Sequence, residues 1–498
     1  MSKTRFVPCV AALAGLAPSL FAQIPITPGN LIVTRLGDGA AALSAAAAPV
    51  FLEEFTQAGA PVQTIAMPVA LSGPNQPITN AGNATSEGFI TQSADGSCLV
   101  TVGYGAVPGT AAIASTASAT TPRVVSRIRL DGSIDTSTAL TDSYSASNIR
   151  SATSLDGNQF WTAGTASAVN RGVCYVGSVG ATTSTQLSTT VTNLRVVNIF
   201  DNQLYVSSQS GSFVGVNTVG TGLPTTSGET ITRLNGFPGA GSPNQYDFWF
   251  ADANTVYVAD ERATGSNGGI QKWVLAVGTW TNVYTLHPGV GCRAVTGYVD
   301  NGTTYLFAVT AGATTSLVST TDGGSGPGTW ATLATSATNT AFRGVRFVRT
   351  PNSVTFGGSA CPTSVGDPTI GTTGGAPVAG NANFGITVGN APDFLGAGVG
   401  VTLYATAIGI NAGLPPFGFP IPDAPACALL FAFPDLLPSG LTDVTGAAVI
   451  PLPLTPAESS LWGLSLAVQH AVWDLTGFYS GFGLPIGMSQ GMQIVIGN

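Results

Sequence analysis

Five segments of the chain share one layout: a run that alternates apolar and polar residues, an Asp/Asn/Gly turn, and a second such run. They are GFITQSADGSCLVTVGY (Gly88 to Tyr104), IRSATSLDGNQFWTAGT (Ile149 to Thr165), LRVVNIFDNQLYVSS (Leu194 to Ser208), YDFWFADANTVYVAD (Tyr246 to Asp260) and CRAVTGYVDNGTTYLFAV (Cys292 to Val309). Their turn acids are Asp95, Asp156, Asp201, Asp252 and Asp300, spaced by 61, 45, 51 and 48 residues. Side chains alternate faces along a strand, so two period-2 runs joined at such a turn form a hairpin.

A repeat near fifty residues with four short strands per unit is the pattern of propeller blades. Each hairpin is followed by two more strand-like runs, such as RVVSRIRL then IDTSTAL, or GGIQKWVLAV then TWTNVYTL, which makes five complete blades. The termini supply a sixth. AFRGVRFVRT (Ala341 to Thr350) reads as a lone inner strand, and LIVTRLGDG, VFLEEFT and PVQTIAMP read as its three missing partners. Closing the ring with strands from both ends removes the open edges that a sheet must otherwise protect. The expectation is an all-β chain: a six-bladed β-propeller over 23–357, then a C-terminal β-sandwich over 358–498. Seven blades result if NSVTFGG forms a blade of its own. Abundant Gly (64) and Pro (32) argue against long helices.

One blade carries a family likeness. VYVADERATGSNGGIQKW resembles the NHL-type propeller repeat, in which an apolar-Tyr-Val-Ala-Asp strand leads to a Gly-Ile-Gln-Lys strand. STTDGGSGPGTW (Ser319 to Trp330) resembles a stretched Asp-box turn of sialidase-type propellers, which implies that Asp322 caps the turn and Trp330 packs behind it. With its GSACP…PACALL…QHAVWD tail, the whole chain resembles a group of secreted bacterial propeller proteins of uncharacterised function.

The first residues, MSKTRFVPCVAALAGLAPSLFAQ, place Lys3 and Arg5 before an apolar run and Ala22 before Gln23. That is the layout of a secretory signal peptide over 1–22, cut after Ala22. Without Lys3 and Arg5, 14 basic residues face 24 acidic ones, a net charge of −10, and Lys272 is the one lysine left. Such a chain lacks the basic footprint that nucleic acid requires. It also has no apolar run near the roughly 20 residues of a transmembrane helix.

From Phe356 to Asn381 the texture turns Gly/Thr/Pro-rich, as in a linker. Behind it, FGITVGNAP, VGVTLYATA, ACALLFAFP, GAAVIPLPL, LSLAVQHAVWD and MQIVIGN form a second series of strands. Cys361 and Cys427 are the two cysteines of this part, and in an exported chain they are expected to pair, a closure that contributes about 4 kcal/mol. Cys98, Cys174 and Cys292 fall in propeller strands, an odd number that leaves at least one buried thiol.

Chemistry-bearing motifs are sparse. His287 and His470 fall in different domains, and both read as structural, so no His-rich metal centre is expected. No nucleophile elbow, phosphate loop or dinucleotide fingerprint occurs, and no cofactor is expected. Glu53 and Glu54, adjacent on a strand, point to opposite faces and cannot address one substrate. Asp260 and Glu261 sit at a strand end, where a solvated loop or an ion pair with Arg262 competes with catalysis.

One pattern stands out. Arg150, Arg195, Arg293 and Arg343 each follow one residue into a predicted innermost strand, as IR, LR, CR and FR. Innermost strands line a propeller's channel, so the four guanidinium groups are placed to ring one opening. With Asp247 they make the candidate ligand site. Forked Arg donors suit an anion or a uronic-acid-bearing glycan. The competing reading is a lattice, with Asp247 and Glu87, that pins blades together. The expected protein is an exported, non-catalytic binding or cell-envelope protein, with an anionic polysaccharide or cell-surface component as partner. The alternatives are a polysaccharide lyase or glycoside hydrolase at the channel mouth, and a structural surface-layer component.

Overall fold

The computed structural model describes residues 24–167, 170–241, 243–324 and 328–357. Beyond them it describes 360, 363–379, 381–392, 403–410, 419–421, 424–429, 438–443, 445–455, 459–473 and 486–497. The expected signal peptide lies outside the described residues. So does Cys361, and with it the expected disulfide to Cys427, whose strand Ala424–Leu429 is described without its side chains.

The protein is built from antiparallel strands. Four separate four-stranded sheets begin at Ile149–Thr153, Leu194–Phe200, Gln245–Asp252 and Cys292–Asp300. A nine-stranded sheet holds two more four-stranded paths. One runs Ile90–Gln92, Cys98–Tyr104, Arg123–Arg129 and Ile134–Leu140. The other joins the chain's two parts: Ala341–Phe347 pairs with Leu31–Leu36, which pairs with Ala47–Phe55, which pairs with Pro61–Ala66. A short strand, Thr79–Ala81, fuses the two paths by touching Ala47–Phe55 and Tyr104.

The first strands of these units pack side by side in sequence order, and Ala341–Phe347 meets Ile90–Gln92 to close the circle. This is a propeller, with innermost strands around a central axis. At every junction a polar side chain reaches the next inner strand's backbone. Thr91 donates to the carbonyl of Ala152 at 2.6 Å, and Ser151 to that of Arg195 at 2.9 Å. Ser207 donates to the Tyr246 carbonyl, while Asp247 accepts from the Val295 amide at 3.2 Å. Thr296 accepts from the Phe347 amide at 3.1 Å, and Arg346 donates to the Ile90 carbonyl at 3.1 Å. Small polar residues on otherwise apolar strands thus satisfy backbone groups between blades, where the sheet ladder cannot. Apolar clusters fill the remaining space, the largest spanning Leu31, Phe89, Val196, Phe248, Ala294 and Phe342.

The recurring acids are turn residues. Asp95, Asp156 and Asp252 each accept the amide two residues on, from Ser97, Asn158 and Asn254, at 2.9, 2.9 and 2.7 Å. Asp201 and Asn202, and likewise Asn301 and Gly302, adopt positive φ at two-residue hairpin turns, the conformation that short polar residues and glycine tolerate.

In the C-terminal part, a six-stranded and a three-stranded sheet share one core that includes Ile386, Ile450, Tyr404, Val468 and Met492. The strand Ser353–Gly357 pairs along its length with Gly491–Val495. It therefore belongs to this part, neither to the propeller, as a boundary after 357 implies, nor to a separate blade. Trp462 packs edge-on against Tyr298 at 5.5 Å and lies 6.0 Å from Phe347, joining the two parts.

Candidate functional site

The start of each inner strand, or for Phe89 the residue just before it, brings one side chain to one end of the channel: Phe89, Arg150, Arg195, Tyr246, Arg293 and Arg343. Phe89 and Tyr246 come from units on opposite sides of the circle, and their ring centroids lie 6.2 Å apart. The two rings bridge the channel and form its floor. Arg150 and Arg195 flank the bridge on one side, Arg293 and Arg343 on the other.

The contacts follow that symmetry. Arg150 donates to Asn193 Oδ1 at 2.5 Å and to the Leu194 carbonyl at 2.9 Å. Arg195 bonds Gln209 and lies over Tyr246, its guanidinium carbon 4.1 Å from the ring centre. Arg293 pairs with Glu261 at 2.8 Å, while Glu261 also accepts from Asn244. Arg343 reaches the Gly82 carbonyl at 3.0 Å, and its stem fills the space over Gly88. A side chain at Gly88 would meet that stem at 3.0 Å, and the residue's φ of +77° suits glycine.

The site carries excess positive charge. Burial first, then the neighbouring guanidinium of Arg195, lowers the Arg150 pKa to about 10. Burial and Arg293 do the same to Arg343, also to about 10. Burial lowers Arg195, with Arg293 acting in the same direction and Tyr246 and Glu261 opposing. Two carboxylates among the described residues act on this ring, Glu87 from one unit and Glu261 from the unit opposite. Glu87 is fully buried and accepts from Tyr104 at 2.6 Å, from Asn148 and from the Ala81 amide at 2.9 Å. Burial nonetheless raises its pKa. Three guanidinium Nε groups, on Arg150, Arg195 and Arg343, are buried without a protein partner, as is Gln209 Nε2. Buried donors left unpaired each cost about 1–3 kcal/mol; Arg127 and Arg233, away from the ring, have a buried unpaired Nε as well, so what is particular to the mouth is that three such groups lie together.

Asp247 does not join this ring. Neighbours alternate faces, so with Tyr246 turned to the mouth Asp247 turns away; it lies 3.9 Å from Arg346 and accepts the Val295 and Phe248 amides. Residue-type matching alone missed Phe89 and Tyr246, although both stand at the register position of the four arginines.

The other singled-out residues are structural. Asp260 is fully buried and gripped by Arg262 through two nitrogens, at 2.9 and 2.8 Å. Glu53 pairs with Arg35, while Glu54 faces the other way and accepts from Thr27, Asn30 and Gln63. Asp322 accepts the Gly324 amide at 2.8 Å, as a turn cap, and also holds Tyr257, Tyr284 and Lys272. His287 Nδ1 meets the Gly268 carbonyl, and His470 is buried between Thr406 and the Thr387 carbonyl. Cys98, Cys174 and Cys292 are buried free thiols. Among the described residues no cluster of His, Cys, Asp and Glu is placed to hold a metal, and no helix is long and apolar enough to cross a membrane.

No family model matches the chain, and no curated protein matches it. Solved structures similar to it include YCF48 bound to D1 peptide, at 13% identity over 62% of this chain and 82% of that one, TM-score 0.33. The β-propeller domain of the trilobed protease from Pyrococcus furiosus is 10% identical over 63% and 84%, TM-score 0.31. A putative 6-phosphogluconolactonase from Bacteroides uniformis is 11% identical over 73% and 93%, TM-score 0.33.

Proposed function

We propose that the protein is an exported, non-catalytic binding protein of the cell envelope, with the channel mouth as its site and a carboxylate-bearing glycan as its ligand. The observation that carries this reading is the convergence of four guanidinium groups on one opening, three with an unpaired buried Nε, against two carboxylates of which one has its pKa raised by burial. A carboxylate accepts two parallel N–H bonds from a guanidinium, and the buried Phe89–Tyr246 pair closes the channel beneath the ring. On the VYVAD and GIQKW strands we place the chain with NHL-like propellers, and on its first 22 residues we place it outside the cytoplasm.

Lyase chemistry is the second reading, because Tyr246 lies within reach of Arg195. Burial, however, raises the phenol pKa above its ordinary value, against the lowering effect of Arg195, so the group keeps its proton and makes a poor base. The test is calorimetric titration of the mature chain with oligogalacturonate, with release of unsaturated products followed in parallel. Saturable binding without turnover is expected. Turnover would move the assignment to a lyase, and the absence of binding to any acidic glycan would leave the ring as architecture.

A further inference from the structure

A second concave region lies at the opposite end of the channel. The inner strands run away from the arginine mouth, and their far ends, together with the C-terminal part, enclose a cavity of about 710 Å³. Its walls include Phe200, Trp249, Tyr298 and Phe347 from the propeller and Trp462 from the C-terminal part. Between the aromatic rings stand uncharged polar groups, chiefly Asn198 and Asn352. Asp201 and Asp252 belong to the same lining and are solvent-exposed.

The two arginines at this end are tied to backbone carbonyls, and the two carboxylates lie at its solvent-exposed rim. Arg346 spends its Nε and one Nη on the Ile90 carbonyl, at 3.2 and 3.1 Å, and faces Asp247. Arg349 donates to the Ser93 carbonyl at 2.7 Å. Several neutral donors are uncommitted. Asn198 Oδ1 accepts the Ile199 amide at 3.0 Å, while its Nδ2, the side-chain amide of Asn352 and the indole N–H groups of Trp249 and Trp462 have no protein partner among the described residues. The aromatic walls and the amides between them are uncharged, and the carboxylates stand at the exposed rim.

We propose that this cavity binds a neutral oligosaccharide. A pyranose ring presents a face of C–H groups and an equator of hydroxyls, each both donor and acceptor. The first fits the indole rings of Trp249 and Trp462, with Tyr298, stacked on Tyr305, as backing; the second fits amides and indole N–H groups that can donate or accept without a net charge. The volume falls in the range of about 300–1,000 Å³ typical of small-molecule sites. Because one wall comes from each part of the chain, the site assigns the C-terminal part a share in binding. This proposal is independent of the anion site, which lies at the other end of the channel.

The test is tryptophan fluorescence of the mature chain titrated with cellopentaose, mannopentaose and maltopentaose, with trigalacturonate as the charged contrast. At least one neutral pentasaccharide is expected to give a saturable shift. Trp249→Ala and Trp462→Ala should each weaken it at least tenfold, and Asn352→Ala severalfold with an unchanged melting temperature. Arg195→Ala should leave it within twofold. The proposal is overturned if none of the three sugars saturates. It is equally overturned if all three cavity variants bind as tightly as the parent, or if Arg195→Ala abolishes the shift, which would put the sugar at the mouth.

Discussion

The guanidinium of Arg195 lies 4.1 Å above the centre of the Tyr246 ring, two inner strands locked face to face at the channel mouth. A cation on an aromatic face is worth about 0.5–1 kcal/mol when exposed and about 2 when desolvated, so the contact positions the arginine without neutralising it. Arg195→Ala should therefore cost at least tenfold in affinity for oligogalacturonate while lowering the melting temperature by only a few degrees. Glu87→Gln, which removes a carboxylate from beside Arg150 and Arg343, should tighten the same binding. Calorimetry on both variants checks the pair. Affinity moving in the same direction in both would show that the ring's charge does not govern recognition.

How far the sequence reached is visible at this same ring. The spacing of the turn acids placed the inner strands, and four of the six mouth residues followed because they are the same residue type at the same register. Phe89 and Tyr246 occupy that register too, but a search for repeated arginine passes over them. Charge alone groups Asp247 with the ring, whereas the alternation of a strand sends it toward Arg346. A boundary after 357 counts Ser353–Gly357 with the propeller; its partner, Gly491–Val495, lies more than a hundred residues away, and no local pattern encodes that choice. The cavity beneath Trp462 is illegible for the same reason, since it depends on how two parts of the chain meet.

Val277 is a strained turn residue. It adopts a φ of +49° at a two-residue hairpin turn beside Gly278 and is fully solvent-exposed. A β-branched side chain in the left-handed region is costly, by about 1–2 kcal/mol, and here nothing packs against it in return. Asn tolerates that conformation, and Asn-Gly is the favoured pair for such turns. Val277→Asn should raise stability by about 1 kcal/mol, read as a higher denaturant midpoint with an unchanged slope; a lower midpoint would refute the strain.

Asp247 predicts a pH signature in the propeller. Burial raises its pKa to about 6 in the folded chain from 3.8, against the opposing pull of Arg346. Between those values the folded state holds the proton more tightly than the unfolded state, so its contribution to stability declines as pH rises from 3.8 through 6, by up to about 3 kcal/mol. Asp247→Asn, which cannot ionise, should compare more favourably with the parent at pH 7 than at pH 4. Melting curves of both proteins at the two pH values measure the difference, and a pH-independent difference would mean that burial does not raise the pKa of the acid.

His470 predicts the opposite sign in the C-terminal part. The imidazole is fully buried, with Nδ1 2.7 Å from the Thr406 hydroxyl and Nε2 3.0 Å from the Thr387 carbonyl, so it joins the two sheets across their shared core. Burial lowers its pKa to about 4 from 6.5, although the Thr387 carbonyl favours the charged form. Here the unfolded chain binds the proton first. The stability that the neutral ring provides is complete above pH 6.5 and is lost as pH falls toward 4, by up to about 3 kcal/mol. His470→Gln keeps a polar side chain but does not titrate. At pH 7 it should cost about 1–2 kcal/mol through imperfect hydrogen bonds, and the cost should shrink or reverse at pH 4. Hydrogen exchange of the amides in Leu403–Ile410 and Ser465–Trp473 localises the effect to the sheet that carries the histidine. An equal cost at both pH values would show that folding does not change the proton affinity of the ring, and that its role is packing alone.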